Sequence, residues 1–149
     1  MRWFLIDKLL ECEPGKNAVG VKCFSRSEEF FQDHFPGFPV VPGVLQIEMI
    51  AQTGGKCVRL ALGHEFTVLG QVKSAKFYRN IEPGDQCIVK IEVQKLAKAY
   101  AIATGVIEVN GEKCATAEIM YGILSRDKLD PNYHDPILLD WKKRKGLPI

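Results

Sequence analysis

Three features between residues 34 and 48 could act together chemically: His34, the Gly43-Val44 junction that follows a proline-rich loop, and Glu48. A histidine held in one orientation is a base that works near neutral pH. A carboxyl set in an apolar run gains proton affinity on burial and can then donate a proton. At a helix start, free N–H groups and the positive end of the helix dipole can stabilise a carbonyl oxygen as it becomes enolate-like. Glycine at position 43 lets a ligand approach that backbone closely. Base, acid and polarising helix end suit removal of a proton next to a thioester carbonyl, with loss of a β-hydroxyl as water. Each feature also has a plainer reading. His34, flanked by Phe30, Phe31 and Phe35, can be a packed core residue. Glu48 can turn to a rim or pair with a lysine or arginine, and Gly43-Val44 can be a simple loop-to-helix junction. Pro36, Pro39 and Pro42 fix φ and stiffen the presentation of His34, which favours preorganised geometry. The other histidines, His64 and His134, fall in turn-like contexts and are expected in solvent.

The elements that must hold these residues follow from periodicity. Residues 33–43 form a Pro/Gly loop, and residues 44–62 predict a helix. Val44, Ile47, Ala51, Val58 and Ala61/Leu62 mark one side of it, with further apolar residues elsewhere round the circumference, so the helix is expected to be enclosed by other structure. Gly54-Gly55 costs about 2 kcal/mol of helix propensity against alanine; close approach of sheet backbone is the expected reason for it. Residues 16–25 predict a strand after the turn at Pro14-Gly15. Strands are also predicted over 66–79, 86–96, 99–109 and 113–123, with Asn110-Gly111 as a hairpin turn. One long early helix and about four antiparallel strands after it predict an α+β fold, a curved antiparallel sheet wrapped round the helix. Residues 125–149 lose the period, hold three prolines, and read as a C-terminal extension docked through Ile137, Leu138, Leu139 and Trp141, with Lys142 to Lys145 as a solvated end.

The chain of 149 residues is expected to be one domain with a real core. Its formal charge of +2 gives no argument for nucleic acid. No run reaches the ~20 apolar residues of a membrane-spanning helix. Asp7 and Lys8 interrupt the apolar N-terminal patch, so no signal peptide is read. Five scattered cysteines without a C-x-x-C pair argue against a disulfide framework or a zinc site, and for buried free thiols in a reducing cytoplasm.

The stretch HFPGFPVVPGVLQIEMIAQ, residues 34–52, closely resembles the signature of the 3-hydroxyacyl-[acyl-carrier-protein] dehydratases (FabZ-like) of bacterial fatty acid synthesis. The likeness extends through FLIDKLLECEPGK (4–16), GQVKSAKFYRNIEPGDQ (70–86) and VNGEKCATAEIMYGI (109–123). It implies a hotdog fold over residues 1–124, with 125–149 as an added extension, and the type without isomerase activity. It implies that His34 and Glu48 are the catalytic pair, and that the histidine of one subunit meets the acid of another in a homodimer. Such dimers often associate further as a trimer of dimers. The helix-start N–H at Gly43, with Val44 beside it, would bind the thioester carbonyl, and Gln52 would support the acid. The acyl chain would lie in an apolar tunnel between two central helices. Substrate would arrive on the phosphopantetheine of acyl carrier protein, with no metal or organic cofactor. Two residues depart from the pattern: Asp33 replaces a usual glycine, and Phe38 replaces a small polar residue, commonly asparagine. Both are expected near the site mouth, where Phe38 would narrow the entrance or cover the acyl chain. A hotdog acyl thioesterase and a non-catalytic acyl-binding subunit are the alternative readings.

Overall fold

The computed structural model describes residues 3–63 and 65–149; His64 lies outside the described residues. Strands β1 (Lys8–Glu13) and β2 (Asn17–Cys23) precede a one-turn helix α1 (Phe30–Asp33) and the long helix α2 (Gly43–Ala61). Then come β3 (Glu65–Phe77), β4 (Gln86–Leu96), β5 (Tyr100–Val109), β6 (Glu112–Ser125), a short 3₁₀ turn and helix α3 (Pro136–Lys145). The six strands form one antiparallel sheet in the order β1-β2-β4-β5-β6-β3, and α2 packs against all six. The expected α+β arrangement of a sheet curved round one helix is therefore present. The β4–β6 meander follows from strict alternation: Cys87, Val89 and Ile91 are buried on one face of β4, and Ala115, Ala117, Ile119 and Tyr121 on one face of β6. Asn110 and Gly111 both take positive φ (51° and 80°), as a two-residue hairpin turn of this sequence requires.

Three expectations change. Asp33 ends α1 and Gly43 begins α2, so the loop is shorter than 33–43. The N-terminal apolar patch supplies strand β1, whose short run carries too little alternation to stand out. Of the stripe through Val44, only Ala51 and Val58 are fully buried. Val44 is 73% exposed, because it shares the open side of the helix with Ile47 and Glu48, three and four places on. The sheet instead takes Leu45, Gln46, Met49, Ile50, Thr53 and Cys57, spaced three and four apart. The opposite side of α2, with Ile47, Glu48, Gln52, Lys56 and Arg59, is only half-buried. The helix is thus enclosed on one side by its own chain.

Gly54 also has a different reason from the one expected. A Cβ there would meet the Tyr121 Oη at 2.4 Å, and that hydroxyl donates to the Ala51 carbonyl at 2.8 Å. The absent side chain makes room for a sheet side chain rather than sheet backbone. Gly54→Ala would gain about 1 kcal/mol of helix propensity. It would also push a buried phenol off its acceptor and overpack the seam, costing about 2–4 kcal/mol. A net loss of about 1–3 kcal/mol in urea unfolding is expected; a more stable variant would contradict this packing account.

All five cysteines are free thiols, with Cys57, Cys87 and Cys114 buried. Burial pushes the Cys87 thiol up to about 12 and raises that of Cys114. Cys12 is half-buried and Cys23 is exposed, so the expectation of buried thiols holds for three of the five; Cys23 ends its strand where the sheet gives out.

Helix α3 seals the outer edge. Ile137, Leu138 and Trp141 are buried as expected, while Leu139 is only half-buried. Arg144 is not simply solvated: its Nη2 donates to the Leu9 carbonyl at 2.6 Å and its Nε to Asp140 Oδ2 at 2.9 Å. This ties α3 to β1.

Candidate active site

His34 is set by the aromatic knot before it and the turn after it. Phe31 is buried, and its ring lies 4.6 Å from that of Phe30 and 6.4 Å from that of Phe24, which anchors the single turn of α1. The His34 N–H closes that turn on the Phe30 carbonyl at 3.0 Å. Phe35 and Phe38 then exchange two backbone hydrogen bonds of 2.8 Å around Pro36-Gly37, with Gly37 at φ 76°. Proline followed by a left-handed residue is what such a turn needs. Val40 closes the loop twice: its N–H donates to the His34 carbonyl at 3.0 Å, and its own carbonyl lies 3.3 Å from His34 Nδ1. A carbonyl can only accept, so Nδ1 carries the hydrogen, and in the neutral ring Nε2 is the free base. The Phe35 ring stacks on the imidazole at 4.0 Å.

The same loop delivers the helix start. The Val41 N–H is fixed to the Ile81 carbonyl at 2.8 Å, and Pro42 is the N-cap of α2. Proline offers no capping side chain, and the Leu45 and Gln46 N–H groups turn back onto its carbonyl at 3.0 and 3.2 Å. The first N–H groups of α2, at Gly43 and Val44, are those a helix cannot satisfy internally. A Cβ on Gly43 would stand 3.1 Å from the Phe77 ring, so glycine lets that ring close over the helix end. His34, Phe38 and Gly43 line one cleft of about 510 Å³ with Phe35, Gln46 and Phe77. Phe38 is exposed at its mouth, and Asp33 is exposed at the end of α1.

Glu48 lies elsewhere. It is half-buried on the open side of α2, and its Oε1 accepts from Gln52 Nε2 at 3.0 Å and from Trp3 Nε1 at 2.9 Å. Gln52 also donates to the Trp3 carbonyl at 3.0 Å and accepts from the Leu5 N–H at 3.1 Å. It therefore pins the N-terminal segment beside the acid. Glu48 and Gln52 line a second cleft of about 430 Å³ with Ala51, Leu69 and Tyr121. Of the residues expected to form a site, the fold gathers His34, Phe38 and Gly43 in one place and Glu48 and Gln52 in another. Val44 is exposed and lines neither cleft.

The family model that matches residues 11–117 describes an ApeI-like dehydratase, ApeI dehydratase. A 3-hydroxyacyl-[acyl-carrier-protein] dehydratase FabZ of Clostridium acetobutylicum is 45% identical over 123 residues, covering 80% of this chain and 86% of that one. The chain belongs to this dehydratase family. A FabZ of Hydrogenobaculum is similar to the same extent, 42% identical over 120 residues, 78% of this chain and 81% of the relative. Among solved structures, the dehydratase heterocomplex ApeI:P from Xenorhabdus doucetiae matches at a TM-score of 0.60 and 21% identity, over 76% of this chain and 96% of that one. A Streptococcus mutans protein bound to acetyl CoA matches at 0.65 and 12% identity, over 84% and 94%. These structural likenesses carry the hotdog fold.

Four residues around the dehydratase's clefts were not picked out by spacing. Trp3 reaches Glu48 from a segment without secondary structure, for which no periodicity exists. Gln46 is 4% exposed; its Nε2 donates to the Val41 carbonyl at 3.0 Å, and its Oε1 has no partner among the described residues. A polar residue two places before the acid in an apolar helix was a visible signal. Phe77 and Asp135 arrive from distant strand and tail positions that only the fold brings near. Among the described residues no three His, Cys, Asp or Glu side chains gather as a metal site would need, and no helix is long and apolar enough to cross a membrane.

Proposed function

We propose that this chain dehydrates a 3-hydroxyacyl thioester, carried on the phosphopantetheine of acyl carrier protein, to the trans-2-enoyl thioester, at a site shared between two copies. The observation that carries this reading is the division of the chemistry: a free imidazole Nε2 beside an uncapped helix start in one cleft, and a carboxyl in another. His34 Nε2 takes the α-proton. The Gly43 N–H, with Val44 next to it, holds the thioester oxygen as it gains charge. The electron pair forms the Cα–Cβ double bond, and the β-hydroxyl leaves as water with a proton from Glu48 of the other copy. Gln52 keeps Glu48 pointed at that hydroxyl, and Phe38 covers the entrance.

The two copies form a homodimer, which can associate further as a trimer of dimers. The open side of α2 and the long edge strand β3, with exposed Leu69, Val72 and Phe77, offer the apolar surface a second copy would cover. Residues 1–124 carry the fold and 125–149 form an added extension. The enzyme works in the cytoplasm without a metal or organic cofactor.

Incubation with a 3-hydroxyacyl carrier-protein thioester is expected to yield the enoyl thioester with the thioester bond intact. Free carrier thiol without enoyl product would replace this reading with a thioesterase.

A further inference from the structure

The cleft that begins at Glu48 does not stay apolar. At its other end it is walled by Tyr133, Asp135 and Pro136 from the tail and by Lys56 and Arg59 from α2. Asp135 Oδ2 accepts from Lys56 Nζ at 2.9 Å and from Arg59 Nη1 at 3.2 Å. Its Oδ1 caps α3 through the N–H groups of Ile137 and Leu138 at 2.9 and 3.3 Å. The side chains of Asp135, Lys56 and Arg59 are only 4%, 13% and 15% exposed. This is a built, partly buried ion cluster, and its central acid comes from residues beyond the 11–117 that the family model matches.

We infer that the tail and this cluster form the floor of the acyl subsite, making the enzyme selective for short and medium acyl chains. The inference rests on the dehydratase reading, in which the β-hydroxyl sits at Glu48 and the rest of the chain runs along the open side of α2. From Glu48 to Lys56 that side rises about 12 Å. Standard carbon–carbon bonds fit roughly nine methylenes beyond the β-carbon into that length. A longer chain must press methylenes against three charged groups and strip the hydration they keep, which is costly for ions even when paired. Trp3, Ala51, Leu69 and Tyr121, nearer the acid, offer the apolar wall that a shorter chain needs.

The test is kcat/KM across carrier-protein thioesters from 3-hydroxybutyryl to 3-hydroxyhexadecanoyl. The full-length enzyme is expected to fall off steeply beyond the medium chains. In Lys56→Met/Arg59→Met/Asp135→Asn the floor loses its charges at similar volume, and asparagine can still cap α3. The ratio of kcat/KM for the longest to the shortest substrate is expected to rise at least about tenfold, since each methylene admitted to an apolar site is worth several-fold. Tyr133→Ala lowers the wall without touching the cluster and is expected to raise the same ratio about threefold or more, which keeps the test open if the triple variant does not fold. Equal turnover of short and long chains by the unaltered enzyme, or an unchanged ratio in both variants, overturns the floor while the dehydratase reading stands. No enoyl product from any chain length overturns both.

Discussion

His34→Ala and Glu48→Gln are each expected to lower kcat/KM on a 3-hydroxyacyl carrier-protein thioester by about 10³-fold, and a mixture of the two dead proteins is expected to regain activity. The size of the loss follows from what a positioned proton donor or acceptor is worth, about 10²–10⁴ in rate. Glu48→Gln is the cleaner change. A glutamine Oε1 still accepts from Gln52 and Trp3, so the side chain keeps its place and loses only its acidic proton. His34→Ala removes both Nε2 and the ring that bridges Val40 and Phe35.

Recovery on mixing is the decisive half. If each site takes His34 from one copy and Glu48 from the other, a mixed dimer holds one site with both groups mutated and one with both intact. Random exchange in a two-fold dimer then restores about a quarter of full activity. A site built within one chain would give none. The two clefts on one chain favour the shared site: one holds the base and the polarising N–H groups, the other the acid and its clamp. Subunit exchange must be verified first, for instance by native mass spectrometry of differently tagged copies. No recovery after verified exchange would contradict the shared site.

How much of this was readable beforehand depends on how local each cause is. The meander β4–β6 was, because alternation and Asn110-Gly111 act over a few residues. His34 and Glu48 could be singled out as candidates, because prolines and glycines crowd the thirteen residues between them and Glu48 is a lone carboxyl in an apolar run. The face of α2 was legible only in part: Ala51 and Val58 are buried, Val44 is not. Apolar residues ring the helix, so the pattern alone does not say which side its own sheet covers. The reason for Gly54 was half-seen, since its partner is Tyr121, 67 positions along the chain. The ion pairing of Asp135 had no local signal. A single aspartate before a proline marks a helix start, but its ion partners sit on α2, and only the folded tail puts them together.

Asp135 therefore carries the largest expected effect on stability. Asp135→Ala would leave Lys56 and Arg59 facing each other, largely buried and without their shared counter-charge. It would also strip the cap from α3. Breaking a buried ion pair by deleting one partner costs about 3–5 kcal/mol, and loss of an N-cap costs about 1 kcal/mol. Against a typical domain stability of about 5–15 kcal/mol, that is a large share. Asp135→Asn separates the two causes: its amide oxygen can cap α3, so what it loses measures the charge, and the further loss in alanine measures the cap. Urea unfolding followed by tryptophan fluorescence reads both, with Trp141 buried in α3 and Trp3 exposed beside the acid. If the tail is part of one cooperative unit, both probes shift together to lower urea. A change confined to a separate early transition would show that α3 peels off while the sheet and α2 persist. In that case the ion cluster holds the tail down rather than the whole fold together. A loss under about 1 kcal/mol in Asp135→Ala would mean that Lys56 and Arg59 reach solvent without cost, and that Asp135 is a surface anchor.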